Sequence, residues 1–170
     1  MISRLHTKKI SVLTMAAIAL QVIGSSHAAE LDVVESRPLS QLWVNAGMLS
    51  YHYEHDKHLN GVNPGLGIEY QFSTTNAITT GIFYNSDREY SRYVGIYWHP
   101  VTFGPVRMGM VAGAFDGYPK TNHGGWFPAV IPVAAVESKK IGVNIFLIPP
   151  IKDRLYGAIS FQLKYKLIDK

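Results

Sequence analysis

The sequence predicts an all-β chain, an eight-stranded antiparallel up-and-down transmembrane β-barrel. Three observations predict it. Short segments alternate residue by residue between apolar and polar side chains, the period of a strand with two unlike faces. Turn signals divide the chain into eight such segments of about 9–11 residues, the length that crosses a bilayer at a tilt. The 170 residues include 15 Gly, 10 Tyr and 7 Phe, with 47% hydrophobic and only 16% charged side chains. That balance excludes disorder. The absence of cysteine excludes a disulfide framework, a thiolate metal site and a cysteine nucleophile.

The chain opens with Arg4, Lys8 and Lys9, an apolar run from Ile10 to Leu20, and small residues at Ser25, Ser26, Ala28 and Ala29. This is the pattern of a secretory signal peptide over residues 1–28, with Ser26-His27-Ala28 as the cleavage site. The apolar run is too short to span a bilayer as a helix. Sixteen basic residues stand against twelve acidic ones, and loss of the leader's three leaves the mature chain close to neutral. No basic surface argues for nucleic acid. Residues 29–41 form a short N-terminal segment in which Pro38 opposes a helix, and residues 42–170 form one barrel domain.

The strands follow in order. Leu42–His52 comes first, and Gly65–Phe72 second. In the second, Leu66, Ile68, Tyr70 and Phe72 share one face opposite Glu69 and Gln71. Ala77–Asn85, Arg92–His99, Val106–Phe115, Trp126–Val136 and Ile141–Ile148 follow. The last, Leu155–Leu167, sets Ile159, Phe161, Leu163, Tyr165 and Leu167 against Ser160, Gln162, Lys164 and Lys166. Asn60-Gly61, Ser73–Asn76, Gly104-Pro105, Asn122–Gly125, Ser138–Lys140 and Pro149-Pro150 supply the turns. An even number of crossings returns both termini to the same side. Trp43, Trp98 and Trp126 fit an interfacial girdle. Pro128–Val136 is apolar on both faces and holds two prolines, Pro128 and Pro132, which cannot donate to a ladder. An apolar interior beside a broken ladder suggests a hydrocarbon pocket with a side opening. His52, His55 and His58 have a spacing that suits a helical metal site, but they lie on strand running into loop, so no metal is expected.

Several ordered stretches together resemble the lipid A palmitoyltransferase family (PagP), eight-stranded outer-membrane barrels. They are Leu49-Ser50-Tyr51-His52, Asn63-Pro64-Gly65-Leu66-Gly67, Phe83-Tyr84-Asn85-Ser86, Gly95-Ile96-Tyr97-Trp98, Gly109–Gly113, Phe127–Ala134 and Leu147-Ile148-Pro149. The resemblance implies catalytic roles for His52 and Ser86 at the outer rim, with Asn85 standing where the family has Asp. It implies lateral lipid access at Pro132 and Pro149, and a second opening near Pro64. Tyr97 falls near the glycine at the floor of the family's acyl pocket, so its ring would shorten the chain accepted. An Asp at position 85 would supply the missing countercharge, so Asn85→Asp is expected to raise activity.

The function so implied is acyl transfer from a phospholipid to lipid A. The enzyme would be a monomer without cofactor or metal, in the outer membrane of a Gram-negative-type envelope after signal-peptide cleavage. The alternative is a non-catalytic barrel of the same ancestry, a surface or lipid-binding protein, to which Asn85 and Tyr97 point. A soluble lipocalin-like carrier would expose the last strand's apolar face to water.

Overall fold

The computed structural model describes residues 30–152 and 155–170; the signal peptide expected over 1–28 lies outside the described residues. The strands are β1 (Leu31–Val33), β2 (Pro38–His52), β3 (Val62–Ser73), β4 (Asn76–Tyr84), β5 (Tyr90–Phe103), β6 (Val106–Phe115), β7 (Phe127–Glu137), β8 (Ile141–Ile148) and β9 (Ala158–Asp169). Strands β2 to β9 each pair antiparallel with the next, and β9 pairs back onto β2, closing an eight-stranded up-and-down barrel. Closure gives every barrel strand a partner on both sides, the condition for a strand protein to face lipid.

The short β1 was not expected from the sequence. It pairs with the overhanging end of β5, Leu31 opposite Phe103 and Val33 opposite Val101, beyond the point where β4 begins. The first barrel strand also starts at Pro38, earlier than Leu42. Proline is tolerated as a strand's first residue because its missing N–H can lie outside the ladder.

The start of β2 and the end of the chain after β9 meet at one rim, where Ser40 and Lys170 exchange backbone hydrogen bonds. Connections at that terminal rim are tight: residues 74–75, 104–105 and 138–140. At the far rim they are longer: residues 53–61, 85–89, 116–126 and 149–157. Short turns at one end and long loops at the other are usual for outer-membrane barrels.

Alternation on β3 and β9 is as the sequence predicts. Leu66, Ile68, Tyr70 and Phe72 stand outward, as do Leu163, Tyr165 and Leu167, while Glu69, Gln71, Ser160, Gln162 and Lys164 are buried inside. With Ile78, Ile82, Val94, Ile96, Trp98 and Val130 also exposed, the outer wall is an apolar belt far larger than a water-soluble monomer carries. Trp43 departs from the girdle expectation. It is fully buried in the lumen, its indole N–H directed at Gln71 and its ring facing the ammonium groups of Lys164 and Lys166.

Candidate functional site

One residue of β2 decides what faces the mouth of the barrel. Trp43 and Asn45 point inward, and strict alternation would then send Gly47, Leu49 and Tyr51 inward as well. The ladder to β3 instead skips register between Ala46 and Met48, and that to β9 between Asn45 and Met48. This bulge inserts one residue and reverses the parity beyond it. Met48 and Ser50 then turn inward, and His52 is buried at the far end of the strand while Tyr51 is exposed. The Ser50 hydroxyl donates to Asn63 at 2.8 Å and shares a 2.8 Å hydrogen bond with Ser160. Gly47 is the local signal for the bulge: a side chain there would collide with the backbone of Asn63 and Gly65.

The β4–β5 turn brings the next group to the same rim. Its backbone meets the β2–β3 loop, where the Asn60 N–H donates to the Ser86 carbonyl at 3.0 Å and the Asn60 side chain to that of Asn85. Asn85 is fully buried. Its amide donates to Ser91 Oγ at 2.8 Å and to the Gly117 carbonyl at 2.7 Å, and its oxygen accepts from the N–H groups of Asp87 and Glu89. Every hydrogen-bonding position of the amide is thereby engaged in folding the turn and tying it to the β6–β7 loop. None remains for His52. Among the described residues no hydrogen bond joins His52 to Ser86 or Asn85.

Sequence reading missed two other groups. The Tyr118 phenol, carried by the β6–β7 loop, packs edge-on against Phe127 and lies near Ser86. Burial pushes its pKa well up, the Ser86 contact opposes this in part, and the Asp87 charge adds to the rise. Asp87 lies within electrostatic reach of both Tyr118 and His52. The turn that folds Asp87 back owes nothing to strand alternation, so the pattern carried no sign of it. His55 faces away from the mouth, its ring edge-on to Tyr51 and bonded to the Tyr51 hydroxyl. Among the described residues no His, Asp and Glu group could hold a metal ion.

Below the mouth lies an apolar cavity of about 50 Å³ bounded by Met48, Tyr93, Gly95, Val111, Ile131 and Phe146, with Tyr97 on its terminal-rim side. An engineered apolar cavity of roughly 150 Å³ admits benzene, so this space takes only a short stretch of hydrocarbon as it stands. Tyr97 stacks on His99 and approaches Asn144, separating the cavity from a charged layer below. There the Lys164 ammonium bonds Glu69 at 2.5 Å and Glu137 at 2.6 Å, and Arg107 holds the other Glu137 oxygen at 2.9 Å. Asn144 donates to Glu69 and Gln71 to Glu137. The lumen is therefore closed by charge towards the terminal rim and apolar between that layer and the mouth.

The prolines fall differently. The β7–β8 ladder runs only from Glu137↔Gly142 to Val133↔Phe146, although β7 continues to Phe127 and β8 to Ile148. It ends at Pro132, which has no N–H for a further rung, and Pro149 follows the last residue of β8. A gap in the wall thus opens beside the cavity-lining Ile131, Phe146 and Ile148. Pro64 does not stand at such a gap. On its β2 side pairing resumes at Met48↔Asn63 and Leu49↔Val62. On its β4 side the Asn63 amide donates to the Tyr84 carbonyl at 3.0 Å, replacing the missing rung.

These features define a small closed barrel with a polar mouth, an apolar chamber and an ion-locked base. No family model and no curated protein matches the chain. Among solved structures, the solution NMR structure of the de novo designed protein TMB2.3 is similar, with a TM-score of 0.53 at 14% identity, covering 77% of this chain and 97% of that one. At that identity the likeness concerns the fold.

Proposed function

We propose that the protein is an outer-membrane lipid A acyltransferase. The observation that carries this reading is the coincidence of three things in one barrel. The β7–β8 ladder stops at Pro132, an apolar chamber lies behind the gap, and His52 and Ser86 stand at the rim above it. A phospholipid tail would pass through the gap and place its ester carbonyl at the mouth. As the acceptor hydroxyl of lipid A attacks that carbonyl, a new ester bond forms and its proton passes to His52. The old ester bond then breaks and His52 returns the proton to the departing lysophospholipid oxygen. Ser86 would hydrogen-bond the reacting oxygens. Tyr97 limits the chamber, so a short acyl chain is preferred over palmitoyl.

The engaged amide of Asn85 favours a second reading, a lipid-binding barrel of the same ancestry without catalysis. Acyl transfer from defined phospholipids to lipid A in detergent, followed by mass spectrometry, separates the two. Product formation abolished by His52→Ala and by Ser86→Ala supports the enzyme. A folded, wholly inactive barrel that retains phospholipid supports the binding protein.

A further inference from the structure

We propose that Arg92 and Trp126 form a phosphate clamp on the outer wall of the barrel, holding the head of a lipid whose chain lies along the wall beneath. On β5 the outward positions run Tyr90, Arg92, Val94, Ile96 and Trp98, because Ser91, Tyr93 and Tyr97 are buried in the lumen. Arg92 thus stands between an exposed tyrosine and the apolar belt, at the level where headgroups meet a barrel wall. Its guanidinium is fixed on two sides. The carboxylate of Asp116 accepts from the Arg92 backbone N–H at 2.5 Å and from Nε at 2.7 Å, and lies 2.5 Å from one terminal nitrogen. The indole of Trp126 covers one face, its centre 5.5 Å from the guanidinium carbon. The Arg92 side chain nevertheless stays 66% exposed, whereas that of Asp116 is only 7% exposed. Arginine carries five N–H donors. Asp116 engages two of them, and among the described residues no other acceptor meets the guanidinium.

The donors left over lie on both terminal nitrogens, the fork that takes two oxygens of one phosphate. The wall below selects a lipid to carry that phosphate. There the ladder sets Val94 opposite Ala114 and Ala114 opposite Pro128, then Ile96 opposite Ala112 and Ala112 opposite Val130. The outward side chains of β6 are shorter than those on both flanking strands, which leaves a shallow apolar channel until Trp98 and Met110 end it. From Ala114 to Met110 is roughly 13 Å of strand. A cation at the head of an apolar channel complements a molecule with an anionic head and a hydrocarbon tail. Trp126 also directly precedes Phe127, and from there to Pro132 β7 has no partner on β8. The clamp therefore holds a phosphorylated acceptor lipid at the upper end of the gap by which the donor enters. That role rests on the acyltransfer reading; the clamp itself does not.

The test is an NMR titration of the protein in detergent micelles with diphosphoryl lipid A, read at the Trp126 indole N–H. A saturable shift is expected. The same lipid stripped of its phosphates, and inorganic phosphate at equal concentration, should leave the signal in place. Arg92→Gln should weaken binding about tenfold, the worth of one hydrogen bond to a charged group. Arg92→Lys keeps the charge but not the fork and should weaken it less. Ala114→Leu fills the channel without touching Arg92 or Asp116 and should also weaken binding, so the result does not hang on a variant that leaves Asp116 unpaired. An equal response to the stripped lipid or to inorganic phosphate, or unchanged affinity in Arg92→Gln or Ala114→Leu, overturns the proposal. Binding as expected while no form of the protein transfers acyl chains leaves the clamp standing and removes the enzyme. Acyl transfer by Arg92→Gln at the parent's KM for lipid A leaves the enzyme standing and overturns the clamp as its acceptor site.

Discussion

The hydroxyl end of Tyr93 lies directly against Gly67, two strands away across the barrel wall, so that a methyl group on Gly67 would overlap the phenolic oxygen. Gly81 lies between them in the ladder, opposite both Tyr93 and Gly67, and a methyl there would come within 2.6 Å of the same oxygen. The two glycines form a trough in which the ring lies flat along the wall. Because Tyr93 lies down and Gly95 follows it on β5, the lumen keeps an empty chamber where most small barrels are packed with side chains.

Gly67→Ala should therefore drive Tyr93 into the chamber and cost about 1–3 kcal/mol, the usual penalty for overpacking. Tyr93→Phe removes the overlapping oxygen and should recover part of that loss. A double-mutant cycle by denaturant unfolding in detergent checks the coupling. Strict additivity of the two substitutions would contradict the trough.

Lys164→Met removes the single cation that contacts both Glu69 and Glu137. Uncompensated buried charge typically costs about 3–5 kcal/mol. The variant should unfold at markedly lower denaturant, and adding Glu69→Gln should recover stability. If Lys164→Met unfolds like the parent, the charged layer contributes nothing to the barrel.

Asn85→Asp replaces the amide nitrogen that donates to the Gly117 carbonyl at 2.7 Å with an oxygen that can only repel it. The expectation from sequence that this change raises activity gives way to one of damage. It should cost about 1–3 kcal/mol or more and release the β6–β7 loop, seen as faster amide exchange at Gly117 and Tyr118. Unchanged exchange with higher activity would restore the sequence-based view.

Acid should loosen the same loop from its other anchor. Burial raises the Asp116 carboxyl, but the Arg92 N–H at 2.5 Å, the guanidinium hydrogen bond at 2.7 Å and the Arg92 charge outweigh it and leave the pKa lowered. A depressed folded-state value contributes stability above the ordinary carboxylate pKa and loses it as pH falls through the folded value. Amide exchange in residues 116–126 should accelerate below about pH 4. In Asp116→Asn that acceleration should be absent, with exchange already fast at neutral pH.

Much of the barrel was legible because alternation is local. Leu66 to Phe72 and Ile159 to Leu167 announce their faces within one segment, and Gly104-Pro105 announces its turn. What stayed hidden depends on partners far along the chain. Trp43 reads as girdle until Lys164 and Lys166 are placed beneath its ring. Pro64 reads as a gap until Asn63 is seen bridging to Tyr84. At the mouth, His52 and Ser86 were visible as residue types, but the reason His52 faces inward is a bulge at Gly47. The role of Asn85 is settled by Gly117, 32 residues on.

The charged base also bears on how the ring finds its correct closure. Glu69 and Glu137 are made before β9 in the chain, so their countercharge arrives with the last strand. A slip of one residue in β9 would present Leu163 or Tyr165 to the lumen and send Lys164 into lipid, leaving two carboxylates stranded. The lysine thus acts as a key that fits only one alignment. Mispaired rings would be discouraged by an electrostatic penalty, independent of the apolar contacts that any register could make.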